Sequence, residues 1–163
     1  MPNEWEVLRY GILALQREGQ RLLSNLLQPL ALTPSQAEVL RVAEEYGPLH
    51  LRRLGNLLIC ESGSPSRLVV SLVRRGLIAK AADPEDVRRT LIELTPDGKD
   101  MAARVAAAEK VFYQGLANRL GEVPSAFFPV LDSFLSDTTA GRALALRGLW
   151  PPTSEGRDCP KPC

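Results

Sequence analysis

The chain has 163 residues, of which 45% are hydrophobic and 24% charged, and its formal net charge is +1. This apolar content is enough for a folded core, and the near-neutral balance excludes a protein that holds nucleic acid by its overall charge. The first residues lack the basic and apolar segments of a signal peptide, and no run approaches the roughly 18 apolar residues of a membrane span. We therefore expect a cytoplasmic protein without membrane contact.

The first two predicted helices come before residue 48. Residues 4–30 carry an apolar stripe with alternating spacings of four and three, formed by Leu8, Ile12, Leu15, Gly19, Leu22 and Leu26. Such a stripe is a seam for another helix, either in the same subunit or in a partner. Thr33-Pro34-Ser35-Gln36 predicts a capping box with proline at the first helical position, and Gly47-Pro48 ends this second helix.

Two short helices are predicted next. Leu49 is expected to form a short strand, and His50, the only histidine, is expected to cap the following helix or to be exposed rather than to bind a ligand. The third helix has an apolar face formed by Leu51, Leu54, Leu57 and Leu58. The fourth begins at Ser64-Pro65, with a hydroxyl cap and proline at the first helical position. It buries Leu68, Val69, Leu72 and Val73 and stops at Gly76.

The start of the fourth helix and the segment after it carry polar and basic residues. Ser64, Ser66 and Arg67 are types that bond phosphates or base edges, although an ordinary capped helix with a solvated arginine has the same pattern. Strand-like runs at 77–82 and 90–94 flank the turn residues 83–86, which predicts a hairpin. From Ser62 to Ile92, six basic residues outnumber three acidic ones. This local excess favours DNA binding.

The remaining sequence predicts two more helical segments and a tail. Thr95-Pro96 restarts a helix with Met101, Val105 and Phe112 in its apolar stripe, and Ser125 begins a last helix that can run to Ala145. From residue 148 the composition is rich in proline and polar residues, so residues 148–163 are predicted to be disordered, with Trp150 as a residue that can dock.

The cysteines give little support to a metal or redox site. An odd count without a secretion signal argues against a disulfide framework, and one histidine makes a closed zinc site with Cys159 and Cys163 unfavourable. Cys60 follows an apolar run, which favours a buried, inert thiol. Because no glycine-rich phosphate loop, paired carboxylates or hydrolytic triad is present, we expect neither an enzyme nor a cofactor or metal.

Several motifs in order resemble the MarR (multiple antibiotic resistance regulator) family. They are Leu32-Thr33-Pro34-Ser35-Gln36, Ser66-Arg67-Leu68-Val69, Arg75-Gly76-Leu77-Ile78, Asp83-Pro84-Glu85-Asp86-Val87-Arg88 and Leu94-Thr95-Pro96-Asp97-Gly98. The resemblance implies a mainly α-helical fold with a small β-hairpin wing. In this fold a winged helix-turn-helix at 32–96 lies between helices at 1–31 and 97–147 that form a helical dimerisation domain.

The resemblance also implies a function. The implied protein is a homodimeric transcriptional repressor that reads a pseudo-palindromic operator in double-stranded DNA. Its DNA-reading elements would be a recognition helix at 64–75 and a wing at 79–92. Asp86 takes the position that orients the wing arginine, Arg88, for the minor groove. The candidate DNA-binding residues are Ser62, Ser64, Ser66, Arg67, Arg74, Asp86, Arg88 and Arg89.

The resemblance further implies release by a small aromatic or anionic ligand bound between the two regions. Candidate wall residues are Tyr10, Arg17, Tyr46 and Phe112, although packing roles suit each of them as well. Two alternatives stay open. One is a winged-helix module that contacts only protein, and the other is a thiol redox sensor that uses Cys60.

Overall fold

The computed structural model describes residues 3–59, 64–86 and 88–150. Its helices are α1 (Glu4–Leu27), α2 (Pro34–Tyr46), α3 (Leu51–Leu57), α4 (Pro65–Arg74), α5 (Pro96–Leu120), α6 (Phe127–Leu135) and α7 (Thr139–Leu146). A 3₁₀ turn, Gln28–Leu30, follows α1. The strands are β1 (Leu49–His50), β2 (Ile78–Ala82) and β3 (Thr90–Leu94). The predicted mainly α-helical fold with a small hairpin is confirmed.

Helix α2 begins at the predicted capping box. The Thr33 hydroxyl accepts a hydrogen bond from the Gln36 backbone N–H at 3.2 Å, and the Gln36 side-chain oxygen accepts one from the Thr33 N–H at 3.0 Å. These two bonds satisfy two N–H groups that have no partner inside the helix. The predicted inner face of α2, formed by Ala37, Leu40 and Ala43, is buried.

The three strands form an antiparallel sheet in the order β1–β3–β2. Leu49 pairs with Ile92, and Ile78 pairs with Leu94, so the predicted strand at Leu49 lies beside the hairpin. Because side chains alternate along a strand, Leu49, Ile78 and Ile92 share one face, and all three are buried in the core. The sheet therefore anchors the base of the hairpin and leaves its tip outside.

The end of α4 is fixed by Gly76. This residue has a φ of 70°, a left-handed conformation that glycine adopts without a steric penalty. The N–H of Leu77 then donates to the carbonyl of Leu72 at 3.0 Å, which closes the helix end. Strand β2 starts at once, so the recognition helix and the hairpin are joined by a single short turn.

One continuous hydrophobic core unites the terminal helices with the helix-turn-helix. Its buried members include Leu27 of α1, Leu40 of α2, Leu72 of α4, Ile92 of β3 and Val105 of α5. The packing therefore has no break at 31/32 or 96/97, where the sequence placed the domain boundaries. That division into a dimerisation region and a DNA-binding domain stays a prediction.

The C-terminal helices fold back on the helix-turn-helix. Helix α7 packs against α3, and Ala143 is fully buried. Beyond α7, the indole N–H of Trp150 donates to Asp132 Oδ1 at 2.7 Å, so this residue docks. Residues 151–163 of the predicted tail, with Cys159 and Cys163, lie outside the described ranges. Among the described helices, none is long and apolar enough to cross a membrane.

Candidate nucleic-acid interface

The outer face of α4 is polar and basic. Ser66, Arg67 and Arg74 are exposed, whereas Val69 and Leu72 on the opposite face are buried. A shallow cleft of about 530 Å³ follows the outer face and is lined by Ser66, Arg67, Val70, Ser71, Arg74 and Arg75. The helix therefore presents two arginines and a hydroxyl on the surface that a helix-turn-helix turns toward the major groove.

Helix α4 is held by polar contacts in addition to its apolar face. The Gln36 side-chain amide of α2 donates to Ser71 Oγ at 2.8 Å. At the other end, the Arg75 guanidinium donates to the carbonyl oxygens of Leu30 and Ala31 at 3.1 and 2.7 Å. Arg75 therefore ties α4 to the end of the 3₁₀ turn that follows α1 and has a structural role that the sequence did not predict.

Ser64 takes the N-cap position of α4 but does not cap it with its side chain. Its hydroxyl is hydrogen-bonded to the hydroxyl of Ser66, and only its carbonyl accepts from the helix, from the N–H groups of Arg67 and Leu68. The predicted hydroxyl cap is thus wrong for this structure. The predicted contact residue Ser62 and the candidate sensor Cys60 lie in residues 60–63, between the described ranges.

The turn at the tip of the wing is organised by carboxylates. Asp86 Oδ1 accepts from the backbone N–H of Arg88 at 3.1 Å, and its Oδ2 lies 3.2 Å from Arg89 Nε. The resemblance implied that Asp86 orients Arg88, and in this structure Asp86 contacts the backbone of Arg88 and the side chain of Arg89; the orienting role stays a prediction. One carboxylate oxygen of Asp86 binds the backbone of Arg88, and the other lies beside the side chain of Arg89. The turn brings Arg89 close, since its N–H also donates to the Asp86 carbonyl.

Three guanidinium groups of this surface have no partner among the described residues. In the ranges 3–59, 64–86 and 88–150, the side chains of Arg67, Arg74 and Arg88 make no hydrogen bond or ion pair. Arg88 is exposed on the wing, as Arg67 and Arg74 are on α4. Free arginine side chains are suited to phosphate oxygens and base edges.

The sequence did not predict the contact between His50 and Asp83 at the base of the wing. His50 Nε2 lies 3.2 Å from Asp83 Oδ2, and His50 Nδ1 lies 3.2 Å from the carbonyl oxygen of Thr90. Asp83 is 8% exposed. His50 does occupy the position before α3, as predicted, but its ring does not cap that helix. Nothing local signals the pair, because its members lie in separate elements, one before α3 and one at the end of β2.

The predicted ligand residues lie on three different helices. Tyr10 and Arg17 are exposed on α1, Tyr46 of α2 packs against the core, and Phe112 is half-buried on α5. Besides the cleft along α4, three further clefts of about 330–510 Å³ are present, and none of the four is lined by these residues. Their role in ligand binding stays a prediction.

A partly buried charge pair lies away from α4 and the wing, between α2 and α5. Arg41 Nε is 3.2 Å from Glu109 Oε2. Burial raises the pKa of Glu109, and the neighbouring guanidinium of Arg41 only partly offsets this effect. Burial likewise raises the pKa of Tyr113. Among the described residues, no group of three or more His, Cys, Asp or Glu side chains could hold a metal ion.

Comparison with known proteins agrees with this geometry. A family model described as a winged helix DNA-binding domain matches residues 32–98. The multiple antibiotic resistance protein MarR of Salmonella typhimurium is 34% identical over 98 residues, which are 57% of this chain and 66% of that protein. The chain therefore spans just under two thirds of the length of this relative.

Solved structures share the fold. A mutant MarR from E. coli complexed with operator DNA superposes with a TM-score of 0.67 at 24% identity, covering 82% of this chain and 94% of the other. CouR from Rhodococcus jostii RHA1 bound to p-coumaroyl-CoA gives a TM-score of 0.64 at 20% identity, with coverages of 81% and 91%. The matched proteins are regulators and not enzymes. The chain belongs to the MarR family of winged-helix transcriptional regulators.

Proposed function

We propose that this chain is a cytoplasmic, homodimeric transcriptional repressor that binds a pseudo-palindromic operator in double-stranded DNA. The observation that carries the proposal is the set of free guanidinium groups on α4 and on the wing, namely Arg67, Arg74 and Arg88. Two such surfaces in one dimer would meet successive half-sites about 34–36 Å apart. Occupation of an operator that overlaps a promoter would then block transcription.

The division of work between α4 and the wing is open to test by substitution. Arg67→Ala should weaken binding to the preferred sequence by about 1–3 kcal/mol if Arg67 reads a base, with much less effect on nonspecific DNA. Arg88→Ala should weaken both and should lower the salt slope by about one unit for each phosphate that Arg88 neutralises. Fluorescence anisotropy at several salt concentrations, with an operator obtained by selection from random DNA, measures both effects.

Two further variants make this test specific. Arg104→Ala removes the same charge from an exposed position on α5 and should leave both affinities almost unchanged. Asp86→Ala removes a negative charge, so simple electrostatics predicts tighter binding. We expect weaker binding, because Asp86 holds the Arg88 backbone and the Arg89 side chain. Tighter binding by Asp86→Ala would show that the wing is only a charged loop.

The homodimer is supported by apolar side chains that the single chain leaves exposed. They lie on the first half of α1, where Leu15 is 60% exposed, and on the α5–α6 region, where Leu120 is 60% and Phe134 58% exposed. A monomer does not usually expose so many large apolar residues on neighbouring helices. The stripe predicted on α1 therefore has no full partner within the described chain, and a second copy can cover it.

Sedimentation velocity at micromolar concentration should give a species of about 36 kDa, twice the 17.9 kDa mass of the chain. Leu15→Glu should shift the protein toward monomer, because a carboxylate would be buried in the interface. Gln16→Glu adds the same group at the next, exposed position and serves as the control. A wild-type monomer at this concentration would rule out both the dimer and the palindromic operator.

The proposal includes release from DNA by a small aromatic or anionic ligand. Its support is the likeness of the fold to CouR, whose solved structure contains p-coumaroyl-CoA. The coupling free energy between ligand and DNA is typically about 1–3 kcal/mol. The same anisotropy assay, repeated with phenolic and carboxylate compounds, tests this part, and unchanged operator affinity across a broad set would count against it.

A further inference from the structure

We propose that His50 is a positioning residue that fixes the wing to the helix-turn-helix through Asp83, and so sets where the wing arginines meet DNA. This inference rests on the proposed function, because it concerns how the wing is presented. The ring joins three elements. It belongs to β1, immediately before α3, and it contacts the last residue before the wing turn and the first residue of β3.

The two ring nitrogens face different acceptors. Nε2 faces the Asp83 carboxylate and Nδ1 faces the carbonyl oxygen of Thr90, each at 3.2 Å. A neutral imidazole has one N–H and can donate to only one of these acceptors, whereas an imidazolium has two and can donate to both. The ring therefore spans the two sides of the hairpin, with Asp83 on one side and Thr90 on the other.

Asp83 passes this contact on to the wing turn. Its second carboxylate oxygen, Oδ1, accepts from the N–H of Glu85 at 2.9 Å, and its own N–H donates to the carbonyl of Arg89 at 3.0 Å. Its carbonyl also accepts from the N–H of Asp86. One side chain thus binds His50 on one side and the first residues of the turn on the other. Loss of the imidazole ring would remove the contact that holds Asp83, and with it the base of the wing, against β1.

Charged side chains of both signs surround the ring. Strand alternation places Asp83, Arg89 and Glu93 on the same face of the sheet as His50. The first turn of α3, which follows directly, adds Arg52 and Arg53. Of the two carboxylates, that of Asp83 is the one at hydrogen-bonding distance from the ring.

Hydrogen exchange in the free protein tests the bridge without DNA. In His50→Phe, which keeps a ring but removes both nitrogens, the N–H groups of Glu85, Asp86 and Arg89 should exchange about 5-fold faster than in the wild type. His50→Gln, which restores one donor, should recover part of the protection. Asn56→Ala, at an exposed position of α3, is the control and should change nothing.

Two exchange results would overturn the inference. One is unchanged exchange in the wing of His50→Phe. The other is an equal acceleration in α2, which would mean that His50 merely supports the fold as a whole.

DNA binding gives the second arm. At one fixed pH, His50→Phe should bind the operator about 5-fold more weakly than the wild type, because its wing arginines are no longer held in place. Equal operator affinity of the two proteins would also overturn the inference. If the wild type binds no DNA, the proposed function fails, and the exchange experiment still decides the role of His50.

Discussion

Arg147→Ala should lower the free energy of unfolding by about 2–4 kcal/mol, somewhat below the ~3–5 kcal/mol typical when one member of a fully buried ion pair is removed. Arg147 Nη1 lies 2.7 Å from Glu38 Oε1, and the two side chains are only 16% and 15% exposed. The same carboxylate oxygen accepts from the N–H of Ile59 at 3.0 Å. Removal of the guanidinium would leave a negative charge with too little compensation between α2 and α7.

Urea unfolding at a fixed protein concentration measures this effect. Arg142→Ala is the matched control, because Arg142 lies on α7, which Arg147 follows directly, and is exposed. Among the described residues, its side chain hydrogen-bonds only to Asp137 and Thr139. We expect the control to lose less than about 1 kcal/mol, as is usual for surface polar contacts. Equal losses for the two variants would show that the contact with Glu38 does not stabilise the fold.

Gly98→Ala should also destabilise the protein, by about 2–3 kcal/mol, because added atoms in a close contact force the backbone apart. A β-carbon at Gly98 would lie 2.9 Å from the carbonyl carbon of Leu77 and closer still to its oxygen. The contact cannot open freely, since the Thr95 hydroxyl donates to the Gly76 carbonyl at 2.6 Å and the Thr95 N–H donates to the Leu77 carbonyl at 3.1 Å.

The control for this substitution lies in the same helix. A β-carbon at Gly115 would have no other atom within 4 Å, so Gly115→Ala should stabilise α5 by up to about 1 kcal/mol through helix propensity. The two glycine-to-alanine changes should therefore have opposite signs in urea unfolding. A stabilised Gly98→Ala protein would mean that the start of α5 can move away from the end of α4 at little cost.

The features that the sequence predicted well depend on neighbouring residues. The capping box at Thr33 and the stop at Gly76 each involve residues within a few positions of one another, so their chemistry is readable from the order of side chains. The hairpin was predictable for the same reason, because two β-prone runs flank a compact turn.

The features that were missed depend on contacts between distant segments. His50 meets Asp83, and Glu38 meets Arg147 across 109 positions, neither of which any local pattern announces. The sequence predicted a turn at residues 83–86. It did not predict that the side chain of Arg89 would pair with Asp86, because that contact depends on the path of the backbone through the turn. The structure also places Gly98, in the first turn of α5, directly against Leu77, a contact that no local pattern announces.

The unbroken core has a mechanical consequence for a dimer of such chains. Because Leu27 and Val105 share one core with Leu72, α4 packs into the same core as α1 and α5 and should move together with them. Helix α5 has 25 residues and, at about 1.5 Å per residue, is a lever of roughly 37 Å. A tilt of about 10° at its far end would carry α4 by roughly 6 Å, more than the ~3.4 Å rise between base pairs. Small adjustments where two subunits meet would then be amplified into a change of register on DNA.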